Sequence, residues 1–311
     1  MTTHPPFRFG LLSHGRSTKA EWTRLARRAE EIGYSILHVP HHFSLRSIPP
    51  FIALAMAAEA TERLRLGSLV VDNNQQHPAV LAKDAAWLAR LSDERFELGL
   101  GAGWLATDHT TLGYPWPSPA ERVSRLAEAV EVIKACWAGA PCDHEGVHYR
   151  VTALDNGPGG TPTRIPLLIG GGGTKVLQLA AHTADIVSVA PTMRGGRIGS
   201  ASARTATRDG IRAKLDVVRA AAGDRAGSIE LHVVVTHVLD PHDGERIGRL
   251  AQAFGVPVHA VSDIPSVLIG TSDELVDQLH RRRASEGFSY VTVSDDVMES
   301  FAPVVEQLTG R

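Results

Sequence analysis

The chain has little of several things. Two cysteines in 311 residues, Cys136 and Cys142, build neither a disulfide framework nor a metal pattern, and they suit a reducing, cytoplasmic setting. Lysine is scarce, 5 residues against 27 arginines, which with the abundant alanine reads as high-GC coding rather than function. Neither sign of charge dominates. A formal net charge of −2 leaves no basic footprint for nucleic acid. No apolar run reaches the ~18 residues of a membrane span, and MTTHPPFRFG has no apolar signal core. A GxGxxG after the first strand is missing too, which argues against a doubly wound nucleotide-binding sheet.

What is present is a strand–helix alternation. Strands are predicted at Phe7–Leu12, Ser35–Val39, Leu64–Val71, Phe96–Leu100, Pro166–Ile169, Asp185–Val189, Ile229–Leu239 and Ser289–Val293. The apolar character of Leu64–Val71 suits a parallel sheet covered on both faces. Between them run helices with readable ends. Thr18-x-x-Glu21 and Thr271-x-x-Glu274 are capping boxes, Ser118-Pro119-x-Glu121 opens a long helix, and Pro50 and Pro78 sit in first turns. Eight strands alternating with helices, in a length suited to ~250 residues plus insertions, predict one (β/α)8 TIM barrel over residues 1–311. A hairpin or loop is expected over Cys142–Thr163. An inserted, arginine-rich loop is expected at about 190–210, near strands 5–7.

Candidate site residues gather at the carboxyl ends of the strands. Gly170–Gly173 lies between a strand and a helix beginning at Thr174, so its N–H groups and the helix dipole make an anion site, or else simply a tight turn. His41-His42 ends the second strand as a proton-transfer candidate or as solvated loop residues. Asp72 to His77, with Asn73 among them, offers hydrogen bonds to a heterocycle, or a turn and a helix cap. Arg194, Arg197, Arg204, Arg208 and Arg212 suit an anionic tail or a solvated loop. Trp104 and Trp116 suit a pocket wall or a core. His38 and His41 share a strand without an accompanying carboxylate ligand motif, so no metal is expected.

Longer stretches add a resemblance. HPAVLAKDAAWLARLSDERFELGLGAGW (His77–Trp104), Asp108 with Leu112-Gly113, ERVSRLAEAVEVIKACW (Glu121–Trp137), Gly146-x-His148-Tyr149, IPLLIGGGGTKVLQLAAHTADIV (Ile165–Val187), LIGTSDEL and Phe301-Ala302-Pro303 follow in order over nearly the whole chain. Together they resemble the bacterial luciferase-like family of flavin and deazaflavin oxidoreductases. That resemblance implies the same barrel with coenzyme F420 or FMN in its mouth. It implies a phosphate loop at Gly170, Gly171, Gly172, Gly173 and Thr174, and a bulge at Leu69-Val70 behind the ring, often with a cis peptide. It further implies Gly101 and Gly103 passing the cofactor; Asn73 and His77 are expected beside it from their place at the end of the third strand. His42 matches the histidine that handles a proton beside hydride transfer. His14, His41 and Trp104 are then expected in the substrate pocket.

Two departures stand out. His41 replaces the family's acid, and Trp104 stands where the sugar-phosphate branch has a glutamate after its GxG loop. Both argue against a glucose-6-phosphate dehydrogenase and for a larger, less polar substrate. The resulting expectation is a homodimeric F420-dependent oxidoreductase acting on a small organic molecule. The alternative is a two-component FMN monooxygenase served by a partner flavin reductase.

Overall fold

A computed structural model describes residues 5–155, 164–196 and 200–311. Its elements run in order. β1 (Arg8–Leu12), α1 (Lys19–Ile32), β2 (Ile36–Val39) and α2 (Pro50–Ala60) come first. β3 (Arg65–Ser68), β4 (Val71–Asp72), α3 (Pro78–Leu91), β5 (Phe96–Gly101), α4 (Ala106–Thr111) and α5 (Pro119–Trp137) follow. Next come β6 (Cys142–Glu145), β7 (Arg150–Leu154), β8 (Leu167–Gly171), α6 (Thr174–Thr183), β9 (Ile186–Val189), α7 (Ser200–Arg204) and α8 (Arg208–Ala222). The chain closes with β10 (Glu230–Val235), β11 (His237–Leu239), α9 (Gly244–Phe254), β12 (Val267–Ile269), α10 (Ser272–Glu286), β13 (Phe288–Ser294) and α11 (Ala302–Leu308).

β1, β2, β3, β5, β8, β9, β10 and β13 pair in parallel around a closed ring, with β4 continuing the β3 stave. This is the expected (β/α)8 barrel. The helix boundaries follow the caps: Thr18 and Thr271 form complete capping boxes, and Gly33 and Gly287 end α1 and α10 in the left-handed conformation. Trp22, Leu25, Ala26, Ala29 and Ile32 turn one face of α1 onto the barrel.

Three predicted segments differ from what is observed. The third strand breaks where the Leu69–Val70 peptide is cis, so β3 stops at Ser68 and the chain resumes as β4. The predicted seventh strand divides at Thr236. β10 stays in the barrel, whereas β11 leaves it to pair with β12 in a two-stranded ribbon over its own small apolar cluster. The stretch expected as a long loop contains a short turn at Arg194–Gly196 and α7, with α8 already under way by Arg208. Within Cys142–Thr163 the hairpin is β6–β7; residues 156–163 lie outside the described set. Among the described residues, no helix is long and apolar enough to cross a membrane.

Candidate active site

A cavity of about 750 Å³ opens at the carboxyl end of the barrel, within the ~300–1,000 Å³ usual for small-molecule sites. β2, the β3–β4 stave, β5, β8 and β9 supply its floor. α4, the start of α5 and the turn at Arg194–Gly196 supply its walls. The break at Leu69-Val70 shapes the floor. Val70 faces Gly101 and Gly170, where a Cβ would come within 2.7 and 3.1 Å of its methyl groups, so glycine at both positions lets the three strands meet closely there.

His42 lines this cavity with a fixed orientation. Its Nδ1 lies 2.6 Å from Asp108 Oδ2. An ionised carboxylate only accepts, so Nδ1 carries the proton and Nε2 is the ring's open nitrogen. Asp108 is held in turn by the N–H groups of Phe43 and Ser44 and by the Ser44 hydroxyl. Burial pushes its carboxyl up, but the bonds from Ser44 and His42 outweigh this and hold it below its ordinary value. Trp104 stands edge-on to His42, ring centroids 5.6 Å apart. Beside it, His41 is kept neutral by burial, which lowers its pKa.

A second pair stiffens the neighbouring wall. His109 is buried, with Nε2 2.9 Å from Asp72 Oδ2 and Nδ1 3.0 Å from the Pro115 carbonyl. The Asp72 bond raises its pKa against the cost of burial. Asp72 also accepts from the Asn74 N–H, the Asn74 amide and the Gln75 amide. These bonds fasten the α4 segment to the end of β4.

His41, His42, Leu69, Val70, Gly101, Gly103, Trp104 and Gly170–Gly173 all border the cavity. Four expected residues do not. His14 is exposed beyond the end of β1. Asn73 is buried and donates to the Tyr149 hydroxyl at 3.1 Å. His77 caps α3, its Nδ1 accepting from the Ala79 N–H at 3.2 Å. Thr174 begins α6 on the solvent side. Of the insertion's arginines, Arg208 and Arg212 turn to Glu286 at 3.4 and 3.7 Å, and Arg204 is exposed; none of the three borders the cavity. Arg197 and the side chain of Arg194 lie outside the described residues. Sequence reading missed the pairing roles of Asp108, Asp72 and His109. The only signal was an acid followed by a histidine just after the GAGW loop.

Among the described residues, no group of three or more His, Cys, Asp or Glu side chains is placed to hold a metal ion.

The family model for luciferase-like monooxygenases matches residues 3–243. A protein of Nakamurella multipartita named F420-dependent glucose-6-phosphate dehydrogenase is 30% identical over 197 residues, 59% of this chain and 56% of the relative. Its namesake in Nocardia farcinica is 34% identical over 177 residues, 53% and 51% of the two chains. The chain thus spans about half the length of the curated relatives it matches. The structure of the coenzyme F420-dependent tetrahydromethanopterin reductase from Methanopyrus kandleri superposes with a TM-score of 0.76, covering 98% of this chain and 99% of that one. At 17% identity that likeness concerns the fold.

Proposed function

Because this chain belongs to the luciferase-like monooxygenase family, we propose that it is an oxidoreductase that binds coenzyme F420 in the mouth cavity and moves a hydride between it and a small organic substrate. The observation that carries this reading is the Asp108–His42 pair at the edge of a cavity of about 750 Å³. When bound, a deazaflavin supplies a carbon centre that gives or takes hydride. It does not support the oxygen activation of flavin monooxygenases.

The residues fit such a guest. Gly172 and Gly173 precede the N-terminus of α6, whose N–H groups suit a phosphate. Leu69 and Val70 border the cavity floor, where a planar ring would pack, and Gly101 and Gly103 border it beside them. His42 donates or accepts at Nε2 the proton that balances hydride movement, while Asp108 fixes the tautomer and holds the ring in place. Trp104 and Trp116 give the substrate side an apolar surface and keep water off. The sugar-phosphate activity named for the curated relatives is not carried over, since Trp104 cannot replace a carboxylate in proton transfer.

A screen of alcohols, carbonyl compounds and activated alkenes, followed by the deazaflavin absorbance change, tests the reading. Turnover with one class supports it. Oxygen uptake with reduced FMN and a partner reductase would replace it with the monooxygenase alternative.

A cytoplasmic homodimer belongs to the same proposal. Ile52 on α2 and Val80, Trp87 and Leu91 on α3 are exposed apolar side chains, and the last three share one helical face. Sedimentation as a monomer at micromolar concentration would contradict it.

A further inference from the structure

One wall of the mouth cavity carries a positive charge that the chain does not neutralise. Arg122, in the first turn of α5, borders the cavity and is only 7% exposed. Its Nη1 donates to the Pro117 carbonyl at 2.7 Å, and its Cζ lies 3.9 Å from the centre of the Trp116 ring. Its Nε is buried with no hydrogen-bond partner. Arg122 forms no ion pair among the described residues, and the sequence of residues 1–4, 156–163 and 197–199 contains no Asp or Glu.

The acid that most influences Arg122 is already engaged. Both ring nitrogens of His109 face groups that only accept, the Asp72 carboxylate and the Pro115 carbonyl, so the ring is an imidazolium and Asp72 is its counter-ion. Asp72, His109 and Arg122 therefore carry one negative and two positive charges. Glu121, one residue before Arg122, is paired with Arg125 at 3.1 Å. The surplus positive charge resides on Arg122, at the dipole-positive end of a 19-residue helix, with an N–H unused. A buried charge without a partner is unfavourable, and an anion in the cavity would remove that penalty.

We propose that Arg122 is a second anion subsite of the mouth cavity, distinct from the glycine turn at Gly170–Gly173. It takes a carboxylate or phosphate oxygen of the molecule lodged there on its guanidinium edge. The anion belongs either to the cofactor's acidic tail or to a carboxylated, otherwise apolar substrate packed against Trp104 and Trp116.

The test is a tryptophan-fluorescence titration of wild type and Arg122→Gln with paired probes that differ in their anionic groups. The pairs are FMN and riboflavin, coenzyme F420 and its riboflavin-level fragment without phosphate and glutamates, and 2-naphthoate and 2-naphthamide. The expected result is that Arg122→Gln weakens the anionic member of a pair about tenfold or more and leaves its neutral member within about twofold. Loss confined to the flavin pairs assigns the anion to the cofactor. Loss in the naphthoate pair assigns it to the substrate. Equal loss for both members of each pair, or no loss in any, overturns the subsite, because Arg122 would then only brace Trp116. If Arg122→Gln does not fold, Arg122→Lys replaces it, and an unchanged anion preference there overturns the assignment to the guanidinium edge. The flavin pairs rest on the F420 reading, whereas the naphthoate pair does not, so the two can fail separately.

Discussion

Two groups of histidines in this barrel use the same chemistry to opposite ends. In the interior, His232 has both nitrogens engaged, with Ser188 and Thr292 at 2.8 Å each, and His38 Nε2 meets the Tyr290 hydroxyl at 2.8 Å. Glu97 lies below them, held by Arg8 and Arg65 at 2.9 and 2.6 Å. Gly10 and Gly67 lack the Cβ atoms that would strike the His38 ring. Burial keeps these imidazoles neutral, lowering His38 to about 4 and His232 well below its ordinary value. At the mouth, His42 and His109 each face a carboxylate, and His42 keeps one nitrogen open to the cavity. A histidine closed on all sides by protein stabilises the barrel; one oriented by an acid and open on its far side can exchange a proton with a guest.

Removing the open histidine gives the largest expected effect. His42→Ala lowers turnover of the screened substrate by about 10²–10⁴-fold and leaves deazaflavin affinity within about threefold. Wild-type turnover in that variant would sink the proton role.

Acid breaks the closed set instead. A histidine whose folded pKa is depressed resists protonation that the unfolded chain accepts. Stability therefore falls as pH drops from the unfolded value of about 6.5 to the folded value of about 4 for His38, by about 3 kcal/mol. Urea unfolding at pH 7 and pH 4.5 measures this. His109 goes the other way. Its raised pKa means that its contribution is full below about 6.5 and is lost as pH rises through the folded value. Imidazole NMR titration should show His38 neutral and His109 charged at pH 6; the reverse order would refute the comparison.

Asp108→Asn is milder than loss of His42. The asparagine amide can donate to Nδ1 and favour the wrong tautomer, so turnover should fall about 10–100-fold, with a shifted pH profile and little change in melting temperature. An unchanged pH profile would show that Asp108 only anchors its loop. Smallest is His77→Ala, which removes a helix cap and should cost about 1 kcal/mol of stability while leaving cofactor affinity unchanged. A loss of affinity would return His77 to the cofactor contacts.

Most of the barrel was legible because its signals are local. Capping boxes, a proline in a first turn and apolar strand runs each act within a few residues, and they marked α1, α3, α10 and β5 closely. The splitting of β10 from β11 was not legible, since both halves are apolar and only the pairing with β12 separates them. For the site, the glycine turn and His42 follow strand ends, and both border the cavity. The histidines' partners were not legible. Asp108 lies 66 positions from His42, and Asp72 lies 37 from His109, so each pairing depends on which strand ends the barrel brings together. His77 shows the converse, a residue with two local readings that the fold assigns to capping.

The most direct test is a competitive binding titration of the purified protein with coenzyme F420, oxidised FMN and reduced FMN. The F420 reading predicts saturable deazaflavin binding that neither FMN form displaces at equal concentration. Preferential binding of reduced FMN, with no deazaflavin bound, would contradict it.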